Sequence, residues 1–142
     1  MEAEKMFMRA HRLDADEATY LIYAGSAAFR RGDLSKAKKL ATKATKCSKG
    51  CIDEAFFNLG GYLLSARRYK EAANCYLKAL KIDNNYEIAK KRLEDVELIL
   101  KKEALAVRHK MILQKRLAKV EAGQGAFLTM AQLKKRLTDR AA

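Results

Sequence analysis

The stretch Asp53–Tyr86, DEAFFNLGGYLLSARRYKEAANCYLKALKIDNNY, decides the fold of this chain of 142 residues. It aligns with an upstream stretch, Ala18–Cys51, ATYLIYAGSAAFRRGDLSKAKKLATKATKCSKGC, at an offset of 35 residues. At that offset small residues recur: Gly25 falls on Gly60, Ala37 on Ala72, and Ala44 on Ala79. Self-similarity at a fixed period of about 20 to 50 residues indicates a stacked repeat architecture.

The small residues predict two helices in close contact within each copy. Glycine and alanine let the helix backbones approach, and larger residues such as Leu59, Leu63, Tyr76 and Leu80 fill the space beside them. One helix pair cannot bury its apolar face alone, so the copies are expected to stack. Residues 30–34 and 65–69 are the predicted turns between the paired helices.

A partial third copy lies upstream. Ala3 and Ala10 precede Ala37 and Ala44 by 34 residues each. Residues 1–13 are therefore predicted to form the second helix of a repeat whose first helix is missing.

Composition and charge agree with a helical chain. There is no proline, and Ala, Leu, Lys, Glu and Arg, which favour helix, dominate. We predict an all-α protein. The net charge of +13 attracts anionic partners, which could be nucleic acid, an acidic protein or a membrane surface. Charge alone does not choose among them.

The last third of the sequence predicts one long helix from residue 87. Apolar residues recur at steps of three and four: Ala89, Leu93, Val96, Leu100, Ala104, Val107 and Met111. The start of this helix is expected to cap the stack, and the rest is strongly basic. Residues 122–125, AGQG, break it. A short final helix is expected to begin near Thr129, with Leu128, Leu133 and Leu137 on its apolar edge.

The second copy resembles the tetratricopeptide repeat signature at Asn58-Leu59-Gly60, Leu63, Tyr69, Ala72, Tyr76, Ala79-Leu80 and Ile82-Asp83. The first copy keeps Gly25, Gly32, Asp33-Leu34, Ala37 and Ala44, but has Ala28 and Ala41 where bulkier residues are usual. Lys49 and Asn84 stand where proline usually closes a repeat. The resemblance implies a right-handed solenoid of helical hairpins over residues 1–100. Its parts are a half repeat (1–17), two repeats (18–52 and 53–86) and the start of the capping helix (87–100), followed by a basic helical extension (101–142).

In this family the first helix of each repeat lines a concave groove that binds a peptide or helix. The corresponding positions are Thr19, Ile22, Ser26, Phe29, Glu54, Phe57, Asn58, Gly61, Leu64, Ile88, Lys91 and Arg92. Some members grip a C-terminal carboxylate there, but only Asn58 and Arg92 match that clamp. Ile22, Phe29, Phe57 and Leu64 indicate an apolar groove for an amphipathic helix or a hydrophobic segment. Alternatively, the chain's own C-terminal helix fills it.

The resemblance implies a protein-protein interaction module, acting as a scaffold, an adaptor or a chaperone-like protein. Two alternatives remain. The first is nucleic-acid binding through the basic residues Lys101, Lys102, Arg108, Lys110, Lys115, Arg116 and Lys119. Residues 117–125 and 132–137 also faintly resemble the tails of small bacterial antitoxins. The second is self-assembly, since the incomplete first repeat leaves Phe7 and Met8 with fewer neighbours than a full stack supplies.

No pattern of catalytic residues is present, and we predict neither enzymatic activity nor a cofactor. Cys47 and Cys51 have the spacing of half a metal site, but no second close pair accompanies them, so no metal is expected. An odd number of cysteines and no signal-peptide pattern at the N-terminus favour a cytoplasmic location. No apolar run is long enough to span a membrane.

Overall fold

The computed structural model describes residues 2–123 together with Gln132 and Lys135. Within these residues it has six α-helices: α1 Glu2–Leu13, α2 Ala18–Arg30, α3 Leu34–Ala44, α4 Ile52–Ser65, α5 Tyr69–Ile82 and α6 Glu87–Glu121. The described part contains no strand, and an isolated bridge joins Glu17 and Lys49. This confirms the predicted all-α fold of helical hairpins.

Two hairpins form the body of the fold. Helix α2 packs against α3, and α4 packs against α5. Their connections, residues 31–33 and 66–68, lie where the sequence predicts turns. Helix α4 also contacts both α2 and α3, so the second hairpin stacks on the first.

The repeated small residues lie between helices, as predicted. Ala37 and Ala72 are completely buried, and Gly25 and Gly60 are buried on the helices that face them. A Cβ atom built on Gly60 would lie 2.7 Å from a ring carbon of Tyr76, closer than real contacts allow. A larger residue at position 60 would therefore have to displace the Tyr76 ring or move the two helices apart.

The turn between the two hairpins is held without the usual proline. The Lys49 amide donates to the Asp16 carbonyl at 3.1 Å, and the Ala18 amide donates to the Lys49 carbonyl at 3.0 Å. These two bonds tie the α3–α4 connection back to the loop before α2. Backbone pairing thus fixes a turn that proline fixes in other repeats.

Helix α1 packs through a face that includes Glu4 and does not include Ala3. Ala3 is exposed, whereas Glu4 is 6% exposed and forms ion pairs with Arg31 and Lys36. These partners flank the start of α3, so they hold the Glu4 face of α1 inward. Ala3 and Ala37 are thus 34 residues apart in the sequence but differ in burial. The assignment of residues 1–17 to a half repeat stays a prediction.

The ion pairs of Glu4 have a consequence for stability. The hydrogen bond from Lys36 holds the pKa of the Glu4 carboxyl below its usual value, against the opposing effect of burial. A carboxyl with a lowered pKa in the folded state stabilises the fold above its unfolded pKa. That stabilisation is lost as the pH falls through the folded pKa.

The beginning of α6 caps the second hairpin. Val96 is completely buried in a cluster with Leu63, Cys75 and Tyr76, and Leu93 packs beside it. The chain divides into two compact units, residues 1–102 and 103–142. Every described residue beyond residue 100 is exposed.

The predicted break after α6 is present where the structure describes it. The helix ends at Glu121, and Ala122 and Gly123 form a turn in which Gly123 has a φ of 70°. Gln124, Gly125 and the start of the final helix near Thr129, with Leu128, Leu133 and Leu137, lie outside the described residues. Gln132 and Lys135 are helical. No helix in the described part is long and apolar enough to cross a membrane.

Candidate partner-binding groove

The hairpin alignment brings corresponding residues of α2 and α4 to one surface. Ser26 falls on Gly61 and Phe29 on Leu64 at the offset of 35 residues. Because α2 and α4 contact each other, these positions lie in two adjacent rows. The rows border a cavity of about 440 Å³, which we call the groove. Its lining residues are Ser26, Phe29, Arg30, Phe57, Asn58, Gly61, Tyr62, Leu64, Ser65, Tyr76 and Arg92.

Aromatic rings form much of the groove wall. The ring centres of Phe29 and Tyr62 are 4.9 Å apart, and those of Phe57 and Tyr76 are 5.7 Å apart. Phe57 also contacts Tyr86, with ring centres 5.1 Å apart. Tilted pairs at these distances are favourable, so the wall is positioned before any partner binds.

Two tyrosine side chains lie beneath the surface of this apolar wall: Tyr62 is 5% exposed, and Tyr76 is completely buried. The Tyr62 hydroxyl lies 3.4 Å from the Ser26 hydroxyl, and either oxygen can donate. Burial raises the pKa of Tyr62, and the Ser26 hydrogen bond opposes that rise in part. Burial also raises the pKa of Tyr76. Both phenols therefore stay protonated at neutral pH.

Two arginines give the groove a positive rim. Arg30, in the last turn of α2, has no ion pair within the described residues. Arg92, on α6, lies 3.9 Å from the exposed carboxylate of Asp95. A long pair between exposed side chains is weak, so both guanidinium groups can pair with a partner's carboxylate.

Seven of the twelve residues predicted to bind a partner line the groove: Ser26, Phe29, Phe57, Asn58, Gly61, Leu64 and Arg92. The other five lie elsewhere. Thr19 bonds with the Glu17 carboxylate, which caps α2, and Ile22 is 2% exposed in the core. Ile88 and Lys91 are exposed outside the cavity, and Glu54 is half-buried outside it.

Sequence reasoning missed four lining residues, Arg30, Tyr62, Ser65 and Tyr76. Arg30 and Ser65 correspond in the alignment and lie one helical turn beyond Ser26 and Gly61, so helical spacing could have found them. Tyr76 comes from α5 and reaches the groove because α4 has glycines where it passes. Only the packing reveals that residue.

The seven basic residues proposed for nucleic-acid contact, from Lys101 to Lys119, are all exposed on α6. Exposure makes them accessible to an anionic partner but does not identify one. Their role in binding nucleic acid stays a prediction. Of the antitoxin-like segments, the structure describes residues 117–123, Gln132 and Lys135, all exposed, and the remaining residues lie outside the described part.

Comparison with known families identifies one part of the chain. Residues 53–86 match the family model of the tetratricopeptide repeat, so α4 and α5 form such a repeat. A search of curated proteins finds no match to the chain. The tetratricopeptide repeat is generally a non-enzymatic fold for protein-protein interaction, and it indicates a protein partner here.

Proposed function

We propose that the chain binds a hydrophobic segment or an amphipathic helix of a partner protein in the groove, as a scaffold, an adaptor or a chaperone-like protein. The observation that carries this proposal is the open cavity of about 440 Å³ with a preformed aromatic wall. A cytoplasmic location is part of the same proposal.

The groove offers both apolar surface and orienting charge. Phe29 is 40% exposed, and Leu64 and Phe57 are half-buried beside the cavity, so an entering apolar side chain would remove their surfaces from water. Aromatic and arginine side chains contribute most to many protein interfaces. Arg30 and Arg92 at the rim favour a segment that carries an acidic residue beside its apolar ones.

Site-specific photo-crosslinking tests the proposal. A benzophenone amino acid replaces Phe29 in the groove, and in a matched control it replaces Leu77, which is 48% exposed on α5 outside the groove. Crosslinked proteins are identified by mass spectrometry. We expect a partner that crosslinks at position 29 and not at position 77.

Two groove variants complete the test. Phe29→Ala and Arg92→Glu should each reduce capture of that partner, while Leu77→Ala should leave it unchanged, with helix content checked by circular dichroism. Equal crosslinking at both positions, or equal capture by all three variants, would falsify the groove as the binding site.

A further inference from the structure

A second cavity, separate from the groove, lies among α3, α4 and α5. We call it the lysine cleft, and its volume is about 430 Å³. Its floor is apolar: Leu63 and Cys75 are nearly buried, and Leu59 is half-buried. Thr42 and Asn74 add neutral polar groups to its walls.

The walls carry an excess of positive charge. Lys38, Lys39, Arg68 and Lys78 line the cleft with one carboxylate, Glu71. Arg68 and Glu71 neutralise each other through two hydrogen bonds, both 2.6 Å long. The three lysines have no carboxylate partner within the described residues, although Lys78 lies 5.4 Å from the centre of the Phe56 ring.

The lysine cleft and the groove use opposite sides of α4. Leu59 and Leu63, one turn apart, face the cleft, whereas Phe57 and Gly61 face the groove. At about 3.6 residues per turn, these pairs lie roughly 160° apart around the helix. The cavities share no lining residue, so occupation of one leaves the other open.

We propose that the lysine cleft binds an acidic protein segment that carries an aliphatic side chain. The aliphatic residue packs on Leu59 and Leu63, and flanking carboxylates pair with Lys38, Lys39 and Lys78. Unpaired lysines close together repel one another, and bound carboxylates relieve that repulsion. The cleft thus combines an apolar anchor site with charges that fix the orientation of the segment.

The lining favours a peptide over single-stranded nucleic acid. Proteins that bind single strands combine basic residues with aromatic side chains on which bases stack. None of the side chains that line the cleft, all within the described residues, is aromatic. An apolar floor suits a leucine or isoleucine side chain instead.

Titration of the full chain with a defined peptide tests this proposal. The probe is acetyl-Glu-Glu-Leu-Glu-Glu-amide, followed by two-dimensional ¹H–¹⁵N NMR at low and high ionic strength. We expect saturable shifts at the amides of Lys39, Thr42, Asn74 and Lys78, and weaker binding at high salt because screening reduces the attraction. A peptide with glycine in place of leucine should bind more weakly.

The paired variant K38Q/K39Q and its control K43Q/K46Q make the test specific. Each removes two lysines from α3 or from the turn that follows it, but only Lys38 and Lys39 line the cleft. We expect K38Q/K39Q to weaken binding roughly tenfold and the control to change it by less than about twofold. Equal effects of the two variants, or equal affinity for the glycine peptide, overturn the proposal. Displacement of the peptide by an oligonucleotide that binds more tightly at the same amides would assign the cleft to nucleic acid instead.

Discussion

The two aligned hairpins of this chain, residues 18–51 and 53–86, reach the same fold with differently filled cores. In the first, two matched positions hold alanine: Ala28 and Ala41 are at most 2% exposed, and Leu21, Ile22 and Leu40 are buried beside them. In the second, Tyr76 and Leu63 occupy the places of Ala41 and Ala28, and Tyr76 is completely buried. The backbone arrangement thus tolerates either small residues on both helices or a large ring packed against a glycine.

Truncation of the matched residues Tyr76 and Ala41 should lower the free energy of unfolding by very different amounts, and this is the largest difference that we expect between the hairpins. Tyr76→Ala removes a buried ring and should lower the free energy of unfolding by about 3 to 5 kcal/mol, as truncation of buried aromatic residues does. Ala41→Gly should lower it by only about 1 kcal/mol, mainly through helix propensity. Urea unfolding followed by circular dichroism measures both. Similar losses for the two variants would mean that the ring does not dominate the second core.

The two helix-contact glycines should respond differently to an added methyl group. A Cβ atom at Gly60 would lie 2.7 Å from the Tyr76 ring, whereas at Gly25 the nearest atoms are 3.6 Å away, which is ordinary contact. Gly60→Ala should therefore lower the free energy of unfolding by about 1 to 3 kcal/mol through overpacking. Gly25→Ala should be neutral or raise it by up to about 1 kcal/mol, because alanine favours helix.

Thermal denaturation of both glycine variants provides the measurement. The double variant Gly60→Ala with Tyr76→Phe separates the ring from its hydroxyl, since the clash involves ring carbons and should persist. If Gly60→Ala is as stable as the wild type, the helices can move apart without loss, and the close approach is not required.

The repeat itself could be predicted from the sequence because its determinants are local and periodic. The matched glycines and alanines predicted the two hairpins, and the turns were predicted at residues 30–34 and 65–69. Helical spacing gave the cap at Leu93 and Val96. These features depend on backbone approach and helix periodicity, which a single sequence displays directly.

Other features depend on tertiary contacts that no spacing reveals. The burial of Glu4 depends on Arg31 and Lys36 from other elements, so the spacing of Ala3 and Ala10 does not reveal it. Ile22 occupies a groove position in the alignment but is buried in the core. Tyr76 joins the groove wall because glycines on α4 let it through. Ion pairs decided the first outcome, and the space left between helices decided the other two.

Helices α3 and α5 differ in their N-caps. We expect substitutions at these caps to change the free energy of unfolding by a smaller amount. The Asp33 carboxylate accepts from the Lys36 amide at 2.9 Å, whereas Arg68, at the matched position, makes no side-chain cap. Asp33→Ala should lower the free energy of unfolding by about 1 kcal/mol. Arg68→Ala should lower it by only a few tenths of a kcal/mol, because it removes an exposed ion pair with Glu71. Urea titrations on both variants measure the difference. An equal loss in the free energy of unfolding would mean that the Asp33 cap stabilises the fold no more than the Arg68–Glu71 ion pair does.

The last comparison concerns the residue that follows the C-cap of the first helix in each hairpin, Gly32 or Arg67. Both helices close with the same pair of hydrogen bonds: the amides of Gly32 and Arg67 donate to the carbonyls of Phe29 and Leu64, at 2.8 and 2.9 Å. One residue further on, the amides of residues 33 and 68 donate to the carbonyls of residues 28 and 63. This is the Schellman arrangement, which places a residue with positive φ just after the helix, usually glycine.

Gly32 has a φ of 83° and suits this place, whereas Arg67 has a φ of 57°, which is unfavourable for a residue with a side chain. Arg67→Gly should therefore raise the free energy of unfolding, by less than about 1 kcal/mol because glycine also gains freedom in the unfolded chain. Gly32→Ala should lower the free energy of unfolding by about 1 kcal/mol. Because no atom lies within 4 Å of the added Cβ, this loss would come from the unfavourable backbone conformation and not from a steric clash. Opposite signs in matched urea titrations would show that the second hairpin carries strain that the first avoids. A loss of stability for Arg67→Gly would instead mean that the arginine side chain stabilises its turn by more than the strain.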